Sequence, residues 1–136
     1  MSQTTLDDLS RLLLRLVLGV LILLHGWVKI RNGVGGIEAM LVMRGLPAFL
    51  AWGAYVGEVL APLLLIAGIW TRMAAAMVAL HMLVAVALAH SGHLAMFTAG
   101  GGWRLELQAM FLAAALAILL LGAGRYSAGG RGGRWN

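Results

Sequence analysis

Four stretches of about twenty residues, 12–30, 47–70, 72–90 and 103–122, are almost wholly apolar. A helix that crosses the ~30 Å hydrocarbon core of a bilayer needs roughly 20 such residues. A water-soluble domain of 136 residues has a high surface-to-volume ratio and needs a polar exterior. With 62% hydrophobic and 11% charged residues, this sequence cannot supply one. The runs are read as membrane spans, and the fold class as all-α, a four-transmembrane-helix bundle forming one domain over residues 1–127. The first run is longer than a signal-peptide core and no small-residue cleavage site follows it, so it is read as a retained helix.

The segments between the runs are short. Ile69-Trp70-Thr71-Arg72 leaves so little chain that the second and third spans must form an antiparallel hairpin. Pro47 opens the second span at the first helical position, where its missing N–H is harmless. Residues 37–44 are read as a short interfacial helix, SGHLAMFTAGGG as a close turn, and 128–136 (AGGRGGRWN) as a glycine- and arginine-rich tail expected to be disordered. No internal repeat is visible.

Four spans put both termini on one side. That side carries Arg11, Arg15, Arg72, Arg125, Arg131 and Arg134, against Lys29, Arg31, Arg44 and Arg104 on the other. The positive-inside rule then orients both termini to the cytoplasm. The net charge of +5 is read as topology, because no basic patch interleaved with exposed aromatics points to nucleic acid. There are no cysteines, which excludes disulfides, thiolate metal sites and iron–sulfur clusters.

The chemistry of such a chain lies in the polar groups inside its spans. Glu58, about twelve residues into the second run, falls near mid-membrane at ~1.5 Å per residue. An ionised side chain there costs on the order of 2.5–3.5 kcal/mol on insertion scales, so it must face the interior, be paired, or be protonated. Pro62 has no N–H to give the Glu58 carbonyl, so carboxyl and freed carbonyl compete for partners at one depth. His25 and Lys29 share a face of the first span. Glu106 lies in the first turn of the fourth, His90 ends the third, and His81 lies deeper. Tyr55, Trp27 and Trp103 supply amphipathic rings nearby.

Several readings stand beside one another. Gly53, Gly57 and Ala61 form a small-residue stripe that lets a neighbouring helix approach, with Glu58 fixing register against Lys29. Alone, His81 reads as structural and the two tryptophans as interfacial anchors. His90 and His93 have HxxH spacing across a glycine at a helix end, and no ExxH ligand pair is present, so no metal site is assigned. No spacing specifies haem. A quinone or proton-linked site fits better: Glu58 and His25 exchange protons, Lys29 stabilises a carboxylate or reduced oxygen, and His90 with Glu106 connects to the outer surface. His25, Lys29, Tyr55, Trp27 and Trp103 are the candidate quinone-binding residues.

The ordered motifs RLLLRLVLGVLILLHGWVKI, RGLP, GEVLAPLLLIAGIWTR, His90, Glu106 and GAGRYS resemble the DoxX family of small four-helix membrane proteins over residues 11–127. The matching positions are Arg15, His25, Gly26, Lys29, Gly45, Leu46, Pro47, Glu58, Gly68, Arg72, His90 and Glu106. The closing motif departs from the family pattern, with Ala123 in place of a proline and Ala128-Gly129 where an aspartate is expected. The resemblance implies a bacterial or archaeal cytoplasmic (inner) membrane protein associated with a redox system, acting with a membrane or membrane-associated oxidoreductase partner that holds the redox carrier. Two other classes remain: a small-solute or proton-linked carrier working as a homo-oligomer, and a structural anchor for a partner complex.

Overall fold

A computed structural model of the chain describes residues 2–130 and 132–136. Arg131, one of the cations assigned to the side of the termini, lies outside the described residues. The fold is all-helical, with 72% of residues in helix and no strand among those described. Helix α1 runs Gln3–Asn32, α2 Gly35–Met43, α3 Ala48–Ala67, α4 Thr71–Ala89 and α5 Glu106–Leu121. Helices α1, α3 and α4 are long and apolar enough to cross a bilayer, and α5 is a shorter apolar helix. Together they make the four-helix membrane bundle, with α2 lying across the end opposite the termini.

Each helix end has a local cause. Ser2 caps α1, its side chain accepting from the Thr5 N–H. Helices α2 and α3 both finish in Schellman motifs, with Gly45 and Gly68 at positive φ. The Leu46 N–H reaches the Leu41 carbonyl, and the Ile69 N–H the Leu64 carbonyl. Trp70 is also left-handed (φ 46°), so two αL residues within three positions turn the chain back into α4. The fourth span, α5, begins at Glu106 rather than Trp103, because Phe97 and Trp103 pair across a turn built on Gly100–Gly102 and keep that segment extended.

Helix α3 is not uniform. It is 3₁₀ over Ala48–Trp52, α over Gly53–Tyr55, π over Val56–Leu60 and α again over Ala61–Ala67. The missing Pro62 N–H removes one i→i−4 bond, and the preceding turn widens until the Ala61 N–H bonds the Val56 carbonyl. The bond expected to be missing at Pro62 is accommodated by a π turn.

The half of the bundle nearer the termini is solid. Leu18, Ile22, Leu65, Val78, Phe111 and Ile118 pack among Ala61, Ala74, Ala75, Ala79 and Ala115. The alanines let the helices approach closely, the usual solution where lipid gives no hydrophobic drive for association. Buried Arg15 (1% exposed) closes this end, donating to the carbonyls of Ala123 (2.5 Å) and Tyr126 (2.8 Å). The described residues of the tail, expected to be disordered, are instead laid on the α3–α4 junction. The Ala128 and Gly129 N–H groups donate to the Ala67 and Gly68 carbonyls, and Asn136 accepts from the Thr71 N–H and hydroxyl. The freed carbonyls of a helix end inside a membrane protein need such donors, and the glycine-rich tail has no side chains to obstruct them. Across the bundle, Val34 and Leu41 pack with Ala51 and Ala54 beneath α2. Between the two apolar clusters lies a cavity.

Candidate functional site

The cavity has a volume of about 900 Å³, is lined by residues of all five helices and opens to the outside of the bundle. Most of its wall is apolar, supplied by residues such as Ile22, Leu41, Leu50, Met82, Leu88 and Phe111. Its polar groups are His25 and Lys29 from α1, Glu58 from α3, His81 and His90 from α4, and Gln108 from α5.

Glu58 is the centre of this set and is 7% exposed. Its two carboxylate oxygens accept from the Lys29 ammonium, and one of them also faces His81 Nε2 at 2.8 Å. Two glycines bring these groups together. A Cβ at Gly26 would collide with the backbone carbonyl of Glu58, so α1 passes against the π turn at the carbonyl that Pro62 leaves without its usual donor. A Cβ at Gly57 would collide with the His81 ring, so the residue before the carboxylate makes the space the imidazole fills. Tyr55 fastens the arrangement from behind, its hydroxyl donating to the Lys29 carbonyl at 3.1 Å.

The other sequence candidates fall elsewhere. His25 lines the cavity, but its ring stands edge-on to Phe111 (centroids 6.0 Å apart), and His81 occupies the place on Glu58 expected for His25. His90 lies at the α5 wall, 3.4 Å from Gln108 Nε2 and 5.7 Å from the His93 ring centroid. Glu106 is exposed and folds back over Gly102, away from the cavity wall. Trp27 is 57% exposed on the outer face of α1. Trp103 donates its indole N–H to the Leu94 carbonyl at 2.9 Å and so braces the turn before α5.

Sequence reasoning read His81 as structural and missed Gln108. Gln108 is two residues after Glu106 and carried no signal of its own. His81 had one: a small-residue stripe whose Gly57 adjoins the buried carboxylate asks what fills the space of the absent side chain. The outcome is a carboxylate bonded on one side by an ammonium and on the other by an imidazole, at the wall of an apolar chamber. Such a group can bind a polar end of a lipophilic molecule and can pass a proton between the imidazole and that molecule.

A family model described as DoxX matches residues 10–91. The chain belongs to the DoxX family. The match runs from α1 through the end of α4 and includes Lys29, Glu58, His81 and His90. DoxX proteins are membrane proteins commonly linked to redox-related membrane systems. No curated protein and no solved structure matches the chain.

Proposed function

We propose that this DoxX chain is an accessory subunit of an inner-membrane redox system that binds a quinone-class ligand in the five-helix cavity, with both termini in the cytoplasm. The observation that carries this reading is the Lys29–Glu58–His81 cluster at the wall of a 900 Å³ apolar chamber. Ligand pockets span ~300–1,000 Å³ and are mostly apolar with a few polar groups that fix orientation. A prenylated ring needs that combination. In this scheme Lys29 and His81 donate hydrogen bonds to a ring oxygen, and the Glu58 carboxylate holds both donors and stabilises the imidazolium that passes its proton to the reduced ring. The electrons come from a redox group on a partner oxidoreductase, since this chain has no thiol. His90 and Gln108 bind at the far wall. His25 and Phe111 form an aromatic side against which a ring stacks.

The test is titration of the purified protein with a short-tailed benzoquinone, comparing wild type with Glu58→Gln and His81→Phe. Saturable binding that weakens about tenfold or more in both variants supports the reading, a loss the size of one charge-assisted hydrogen bond. Binding that is absent in the wild type, or equal in all three proteins, overturns it.

The interruption of α3 by 3₁₀ and π turns favours a second reading, a proton-linked carrier working as an oligomer. Discontinuous helices near the bilayer midplane are the usual substrate sites of carriers. Uptake into proteoliposomes that depends on a proton gradient and on Glu58, with no quinone binding, is the result that reading requires.

A further inference from the structure

We propose a second binding site, at the opposite end of the bundle, that takes a zwitterionic phosphoethanolamine group; it is independent of the quinone reading. A concave pocket of about 370 Å³ there is lined by Asp7, Asp8 and Arg11 of α1, Arg72 of α4, and the glycine-rich segment after α5. It lies at the low end of the size range for ligand pockets.

The geometry sets its depth. Residues 12–30 of α1 span about 28 Å at ~1.5 Å per residue, close to the ~30 Å hydrocarbon core. Residues 3–11 continue the same helix about 13 Å further, which places Asp7 and Arg11 among the lipid headgroups.

The pocket's own parts argue for a built site. Both guanidinium groups are fixed by backbone carbonyls: Arg11 Nη1 donates to Leu121 at 2.5 Å, and Arg72 Nε to Asn136 at 3.2 Å. Each keeps further N–H groups for a ligand, in the fork geometry that suits phosphate. Gly122 and Gly124 sit at φ +74° each and leave the wall bare where a side chain would press on Arg72 and Arg11. Asp8 accepts from the Arg125 N–H at 3.1 Å and so holds the segment after α5 in place. Asp7 is exposed and forms no ion pair among the described residues.

Charge then selects the ligand. Two arginines alone would take any phosphate. Asp7 beside them adds a carboxylate that a plain anion cannot use and that favours a group carrying both signs. Arg11 and Arg72 hold the phosphate, and Asp7 accepts from a primary ammonium.

The experiment incubates the detergent-solubilised protein with an equimolar mixture of phosphatidylethanolamine, phosphatidylcholine and phosphatidylglycerol and reads the bound species by native mass spectrometry. Phosphatidylethanolamine retained about tenfold over each of the others is expected. Asp7→Asn should erase that preference, and its exposed position leaves the fold intact. Arg11→Gln should lower retention of all three lipids. Soluble glycerophosphoethanolamine identifies the source: displacement of the lipid at comparable concentration makes a free zwitterion the ligand, and failure to displace makes it the bilayer lipid. Equal retention of the three lipids in the wild type, or a preference that survives Asp7→Asn, overturns the proposal.

Discussion

Gly57 and Gly53 lie one helical turn apart on the same stripe of α3, yet they have different consequences. A side chain at 57 meets the His81 ring, whereas one at 53 meets nothing within 4 Å. Gly57→Ala is therefore expected to push His81 off Glu58 and to destabilise the protein by about 1–3 kcal/mol, the usual cost of overpacking. Gly53→Ala should be close to neutral. Thermal unfolding of the two variants in the same detergent checks the contrast, and equal melting temperatures would remove the argument that the glycine makes room for the imidazole. Lys29 and Glu58 show the same dependence on close approach. Their pairing needs α1 to touch the backbone of α3, which only Gly26 permits at that level.

The elements divide into those a linear reading finds and those it cannot. Four apolar runs, the hairpin at Ile69–Arg72 and the presence of Glu58 and Lys29 in the interior are all legible, because hydropathy and span length are properties of the sequence itself. The imidazole partner of Glu58 was not: His25 and His81 are both histidines within reach by depth, and which one faces the carboxylate depends on helix rotation, which packing sets. The π turn was half legible. Pro62 announced a broken hydrogen bond, but a kink, an inserted water and a widened turn all answer it. Pro62→Ala tests what the widened turn does. With the N–H restored, the turn should tighten to i→i−4 and swing the residues on one side by about 100°, one residue's worth of helix. The variant should fold, lose protection changes tied to the π turn in amide exchange at residues 58–62, and bind the quinone probe about tenfold more weakly. Unchanged affinity would show that the π turn does not aim Glu58.

At the scale of the molecule, the bundle is closed at one end and hollow towards the other. The closure rests on Arg15, whose charge is spent on backbone carbonyls of the segment after α5. Arg15→Met would leave those carbonyls without donors where water is scarce. Hydrogen bonds to charged groups contribute roughly 1.5–3 kcal/mol each. The variant should melt lower and be cleaved by added protease near Tyr126, while binding in the distant cavity changes little; coupled loss of both would mean the two ends are not independent. The sequence shows Arg15 as a basic residue at a span end, and nothing in its spacing reveals that the chain returns to meet it, because that contact joins residues 108 and 111 positions apart. The docking of the tail is illegible in the sequence for the same reason.

The pairing of Lys29 with Glu58 also has a consequence for how the protein is made. The two residues are 29 positions apart, and synthesis at about 5–20 residues per second separates them by roughly 1.5–6 s. Through that interval the Lys29 ammonium is without the Glu58 carboxylate. Lys29 is near the end of the helix, where a long side chain reaches the headgroups, so the first span can wait in the bilayer with its charge solvated. Glu58 has no such refuge at mid-helix. It arrives only when a cation is already stationed beside its path, so the order of the two charges along the chain is the order in which a membrane can accept them.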